Sequence, residues 1–213
     1  MTKPSSSFLV AVVLLAAGAS SRMGKPKMLL PWGKTTIIGH LIKAWRGQSV
    51  EEIAVVCAPG DAAINAELDR LGFPKQNRID NPDAARGMFS SIQCAARWKG
   101  WNERLTHWAI VLGDQPHLPA SVLGSLLDFA RERPEKICQP SRNRRARHPV
   151  LLPKPVFRNL AISTDANLKE FLERMFADVE LIEVNDPALD LDLDTPADYE
   201  EARRVFAERE KGS

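Results

Sequence analysis

Short runs of apolar residues recur along the chain, and most are followed by stretches in which apolar positions return every third or fourth residue. Residues 8–15 are apolar on both faces, as a central parallel strand covered by helices should be. Glu52–Cys57 (EIAVVC) and His107–Leu112 (HWAIVL) repeat that signal, and shorter strands are predicted at Arg78–Asp80, 137–139, 150–152 and 179–184. Between them, Ile37, Ile38, Leu41, Ile42 and Trp45 share one helical face that stops near Gly47. Ile64, Leu68 and Leu71 mark a second helix closed by Gly72, and residues 90–98 a third with Ser90 as its cap. Pro119 opens a helix whose inner face is Val122, Leu123, Leu126, Leu127 and Ala130. Shorter helices are expected at 155–160 and 167–176, the latter begun near Thr164 or Asp165. A last helix has Thr195 as cap, Pro196 at its first position and Asp198 in its first turn. Strand and helix alternation of this kind predicts right-handed crossovers and an α/β fold on a mostly parallel sheet.

The first strand runs into VLLAAGASSRMGKPK, residues 13–27, where Gly18 and Gly24 relieve the backbone and Arg22, Lys25 and Lys27 supply positive charge. Glycines after a buried strand let N–H groups turn toward a ligand, so the stretch reads as an anion site. It is not a P-loop, because five residues separate Gly18 from Gly24 and Pro26 follows Lys25. Nor is it the dinucleotide fingerprint, since Ser20 stands where the second glycine is needed.

Composition narrows the picture without redirecting it. At 213 residues, with 44% hydrophobic and 26% charged, the chain suits one globular α/β domain, residues 8–209, behind a loose leader at 1–7. A net charge of +2 gives no reason to expect a nucleic-acid partner. Cys57, Cys94 and Cys138 lack any close pairing, so a reducing cytoplasm is the simplest setting and no zinc knuckle or disulfide framework is suggested. The N-terminal apolar run is too short to span a membrane; read as a signal peptide, it would cost the chain its first strand and split the glycine loop.

Several residues then stand out as candidates for chemistry. Asp114 follows a buried strand and Gly113, which puts a carboxylate beyond a strand's carboxyl end, where α/β sheets bind ligands and where Mg²⁺ can be held. Asp190, Asp192 and Asp194 alternate with leucines, so in an extended segment they share one face, and Asp192 or Asp194 is expected as the second metal ligand. Arg86, Gly87, Ser90 and Ser91 lie at a loop and helix start able to read a base edge or ribose. The segment SRNRRARHP is expected to be a basic loop, with Arg142, Arg144, Arg145, Arg147 and His148 suited to a phosphate-bearing acceptor.

Leu15, Ala16, Ala17, Gly18, Ser20, Arg22, Met23, Gly24 and Lys27 match LAAG-x-S-x-RMG-x-x-K, and the chain resembles the molybdenum cofactor cytidylyltransferases and guanylyltransferases nearly end to end. The likeness continues through RGMFSSIQCA, VLGDQPHLP, RHPVLLPKPVF and DLDLDTPADYEEA. It implies a Rossmann-like three-layer α/β/α nucleotidyltransferase domain with Mg²⁺ bridging the nucleotide phosphates. Arg22 and Lys27 would hold the triphosphate, Asp114 the metal, and Asp192 or Asp194 its other side. The first-strand loop with Arg86, Gly87, Ser90 and Ser91 would bind nucleotide. Arg145, Arg147 and His148 would face the acceptor. Ala17 leans toward CTP, because the guanylyl enzymes resemble LAGG at this point. Departures cluster in the acceptor half, where Ala146-Arg147-His148-Pro149 replaces the usual Arg-Gly-His-Pro. The expected reaction is transfer of CMP from CTP to a phosphorylated acceptor such as molybdopterin. A sugar phosphate or methylerythritol phosphate as acceptor, or a non-catalytic module that binds nucleic acid through the arginine run, are the alternatives.

Overall fold

The computed structural model describes residues 8–18 and 26–211. Ten strands and seven α-helices follow in chain order among these residues. The strands are β1 (Val10–Leu15), β2 (Pro31–Trp32), β3 (Thr35–Thr36), β4 (Glu52–Cys57), β5 (Arg78–Asp80), β6 (His107–Leu112), β7 (Ile137–Arg142), β8 (Arg145–Ala146), β9 (Val150–Pro153) and β10 (Val179–Glu183). The helices are α1 (Ile37–Arg46), α2 (Ala62–Arg70), α3 (Met88–Arg97), α4 (Ala120–Arg131), α5 (Lys154–Leu160), α6 (Leu168–Arg174) and α7 (Pro196–Lys211). Eight strands form one sheet in the order β10-β7-β9-β6-β1-β4-β5, with β8 paired to β7 at one end.

The pattern of β1 explains the three layers. Val10, Val12 and Leu14 enter one core cluster together with side chains of α1, α2, α4 and α7. Ala11, Val13 and Leu15 enter a second with side chains of α3, α5 and α6. A strand that alternates apolar residues to both sides can be stable only if both faces are covered, which is why residues 10–15 carry no polar position. Gly72, at φ +63°, turns the chain after α2, and its N–H and that of Phe73 bond the carbonyls of Asp69 and Leu68 at 3.0 and 2.8 Å. At the other end, Thr195 and Asp198 bond reciprocally to open α7, and Tyr199 donates to the Pro31 carbonyl at 2.5 Å.

Parallel pairing of β1 with β4 and β6 sets Leu15 level with Val56 and Leu112. Three strand ends therefore open on one crevice. The chain leaves β1 toward β4 and β5 on one side and returns to β6 on the other, so this crevice is a topological switch point.

The expectations need correction at three places. SRNRRARHP is not a loop throughout: β7 continues to Arg142 and pairs antiparallel with β8. Asn143 and Arg144, with φ of 53° and 61°, make the tight turn, a backbone demand that a run of arginines conceals. The sheet is mostly parallel as expected, with β9 antiparallel to both its neighbours. α3 starts at Met88 behind Gly87, and Ser90 is already inside its first turn. α6 starts at Leu168 with Asn167 as its cap, rather than near Thr164 or Asp165, because the Asn167 side-chain oxygen Oδ1 takes the Glu170 N–H at 2.9 Å. Among the described residues no helix is long and apolar enough to cross a membrane.

Candidate active site

The side chains of Leu15 and Ala16 are buried in opposite core clusters, so only their backbone can face a ligand. The Ala16 N–H is bonded to the Val56 carbonyl at 2.8 Å, which carries the β1 pairing one residue past the strand. Ala17 is half-buried, and Gly18 is exposed with open space where a side chain would be. Arg22, like Ser20, Met23, Gly24 and Lys25, lies outside the described residues.

Lys27 begins a short 3₁₀ turn anchored by buried Met28. Its ammonium stands 4.0 Å from Asp114 Oδ2 and 3.9 Å from Asp194 Oδ1, with the side chain 15% exposed. Gly113 makes this approach possible: a Cβ there would strike the Met28 sulfur and come within 3.2 Å of the Leu15 carbonyl oxygen. Burial, eased by Lys27 and reinforced by Asp192 and Asp194, pushes the Asp114 carboxyl up to about 6. Its Oδ1 is buried without a hydrogen-bond partner. An oxygen left bare in this way is costly to the protein alone and is what a cation ligand looks like without its cation.

The other wall is the run from Asp186 to Thr195, and it is tied down along its length. Leu193 donates its N–H to the Asp114 carbonyl at 3.1 Å, and Gln115 Nε2 donates to Asp192 Oδ1 at 2.8 Å. His117 Nε2 donates to the Ala188 carbonyl at 2.9 Å, and Arg209 holds Asp186 at 2.5 Å. The alternating carboxylates do not share one face as the pattern implies, because Pro187–Asp190 is a 3₁₀ turn. Asp190 is rotated away and pairs with Arg142 and Arg147. Asp192 and Asp194 remain on the side of Asp114. Two carboxylates plus phosphate oxygens and water suffice for Mg²⁺, so Asp114 with Asp192 or Asp194 fits that ion. No group of three or more His, Cys, Asp or Glu side chains arranged for a metal occurs among the described residues.

The loop from Asn81 to Gly87 forms the far rim. Gly87 holds φ +93°, a conformation that needs glycine, and Arg86 is exposed 4.0 Å from Asp83. Ser90 and Ser91 are buried, and both hydroxyls accept from Asn81 Nδ2 at 2.9 Å. Ser90 also donates toward the Gly87 carbonyl, 2.7 Å away. These serines shape the loop from inside. Asn81, whose Oδ1 takes the Asp83 N–H at 3.0 Å, is the residue that the sequence reading missed. An Asn-Pro pair before a glycine was its only signal.

Arg145, on the short β8, is exposed, whereas Arg147 is bonded to Asp190 and so is not a free cation. Burial holds the His148 imidazole below its ordinary pKa, and its Nδ1 lacks a partner. Arg147 and His148 border a cavity of about 870 Å³ that also touches Met88, Gln139, Leu172 and Phe176. Its apolar wall comes from α6 and the edge of the sheet; Phe176 is 78% exposed there.

The sequence matches the model of the MobA-like NTP transferase domain over residues 12–179. It is 28% identical over 197 residues to the molybdenum cofactor cytidylyltransferase of Escherichia coli K12, covering 92% of this chain and 96% of that one. A probable molybdenum cofactor guanylyltransferase of Carboxydothermus hydrogenoformans is 35% identical over 111 residues, 52% of this chain and 49% of that one. A nucleotidyl transferase structure from Methanothermobacter thermautotroptrophicus superposes with a TM-score of 0.78 at 20% identity, covering 94% and 99%. With the strand-end crevice and the matched motif in agreement, this chain belongs to the MobA-like NTP transferase family and is a nucleotidyltransferase.

Proposed function

We propose that the protein transfers CMP from CTP to a phosphorylated acceptor, molybdopterin, with pyrophosphate as the second product. The observation that carries the reading is the meeting of Lys27, Asp114 and Asp194 at the mouth of the β1/β6 crevice. The match to a cytidylyltransferase over nearly the full length of both chains supports CTP and molybdopterin, as does Ala17 in the LAAG position.

In this reaction an oxygen of the acceptor phosphate attacks the α-phosphorus in line, the bond to the bridging oxygen breaks, and pyrophosphate carries away the negative charge. The attacking phosphate is already an anion, so no general base is needed, and catalysis rests on position and charge. Arg22 and Lys27 bind the triphosphate, Lys27 from its place beside Asp114. Gly18 leaves room for the phosphates to approach the backbone, and Gly87 with Arg86 sets the rim against the nucleoside. Arg145 and His148 border the acceptor side. Asp114 and one of Asp192 or Asp194 would hold Mg²⁺, which when bound neutralises charge on the phosphate oxygens.

A thermal-shift titration with each of the four NTPs plus Mg²⁺ tests the nucleotide. CTP is expected to raise Tm most, and a larger response to GTP would reassign the base. Pyrophosphate release with molybdopterin, a sugar phosphate and methylerythritol phosphate then tests the acceptor; turnover with either of the last two alone removes molybdopterin.

A further inference from the structure

Arg142 and Arg147 read in sequence as cations waiting for a phosphate, yet both point to the same carboxylate. Arg147 reaches Asp190 Oδ1 through Nε at 3.1 Å and through a terminal nitrogen at 2.5 Å, while Arg142 pairs with Oδ2. The three side chains are 24%, 26% and 33% exposed, so the cluster is partly open to water and rests on its two-sided contact rather than on burial. The backbone behind them is fixed as well. Arg147 N–H bonds the Pro140 carbonyl at 2.8 Å, and Gln139 Nε2 donates to the Arg147 carbonyl at 3.2 Å. Asp190 ends the 3₁₀ turn, two and four residues before Asp192 and Asp194.

We infer that Arg142 and Arg147 are positioning residues for the acidic wall: by clamping Asp190 they hold Asp192 and Asp194 toward Asp114, and they do not bind the acceptor phosphate. The inference rests on the reading of Asp114, Asp192 and Asp194 as the metal side of the site. Its physical basis is a segment of alternating carboxylates that repel one another and have no sheet pairing of their own. Gln115, His117 and the Asp114 carbonyl hold it at other points, and the two arginines add a grip that neutralises the member turned away from Asp114. Partners that orient metal ligands in this way typically change metal affinity or activity by about 10- to 100-fold when removed.

The test uses the full chain and three variants: Asp190→Asn, the double Arg142→Gln/Arg147→Gln, and all three changes combined. Two readouts separate the clamp from the metal assignment. Hydrogen exchange of the Leu191 and Leu193 amides in metal-free protein reports the grip itself, and Mn²⁺ titration in the presence of CTP reports the metal side. Faster exchange in every variant is expected, together with Mn²⁺ binding weakened by about tenfold. The triple variant should be no worse than either parent, because the residues act through one contact. In turnover, the half-saturating metal concentration should rise while the acceptor KM stays put. If Asp190→Asn is silent in exchange and the arginine variant raises only the acceptor KM, the clamp is wrong. If exchange quickens but the unaltered protein binds no Mn²⁺, the clamp stands and the metal assignment falls.

Discussion

The two walls of the crevice are built on different principles. On the nucleotide side, residues far apart in the chain arrive together because parallel strands in register end at the same level: Leu15 is opposite Leu112, so the loops holding Lys27 and Asp114 start side by side. On the acidic side, the run from 186 to 195 belongs to no strand and is held by side-chain contacts: Arg147 to Asp190, Gln115 to Asp192. The first wall is rigid because hydrogen-bonded strands and two cores hold it. The second is an irregular run held by side chains, and each of those can be removed singly. The first should therefore lose function sharply and locally when altered, the second more gradually and through neighbouring residues.

The largest effect is expected at the first wall. Asp114→Asn keeps the shape and removes the charge, and should lower Mg²⁺-dependent pyrophosphate release at saturating nucleotide by about 10²- to 10³-fold; near-normal turnover would take Asp114 out of the mechanism. Next comes acid sensitivity. His107 lies buried with its Nε2 against the Pro134 carbonyl at 2.9 Å, and burial lowers its pKa from 6.5 to about 4. Between those values the unfolded chain binds a proton that the folded one refuses, so stability falls as pH drops from 6.5 toward 4, by about 3 kcal/mol at most for this residue. His117 and His148 are lowered by burial too and act in the same direction, while Asp114, raised to about 6, acts in the opposite one. Urea unfolding at pH 7, 6, 5 and 4 should show this slope, flattened in His107→Gln; an unchanged slope in the variant refutes the assignment.

A smaller effect is expected at the rim. Asn81→Ala strips partners from Ser90, Ser91 and the Asp83 N–H, which should cost about 1–3 kcal/mol in unfolding free energy and raise the KM for nucleotide more than it lowers kcat. A stability loss with no change in KM would leave the rim without a role in nucleotide binding. The smallest change in stability belongs to Phe176→Ser, within about 0.5 kcal/mol because the ring is largely exposed. The same variant should raise the acceptor KM if the 870 Å³ cavity receives the acceptor's body, and an unaltered KM would place that body elsewhere.

What could be read before folding follows the same division. The apolar runs of β1, β4 and β6 announced themselves because a strand covered on both faces tolerates no polar residue, and Thr195 and Pro196 announced α7 because a cap acts within one turn. The hairpin at Asn143 and Arg144 looks like open loop in the sequence, since its cue is a backbone conformation that arginine composition does not reveal. Ser90 is an internal prop rather than the cap its position suggests, because its partner, Asn81, lies nine residues away around a bend.

The chain's local order thus determined by itself seven of the ten strands among the described residues, most of the helices, the family and the position of Asp114 beyond a strand end, all of which depend on neighbours in sequence or on a spacing of two or 3.6. Only the folded molecule decided that Asp190 faces the arginines while Asp192 and Asp194 face Asp114. A carboxylate's role is set by the charges that surround it in space, and here those charges come from three distant parts of the chain.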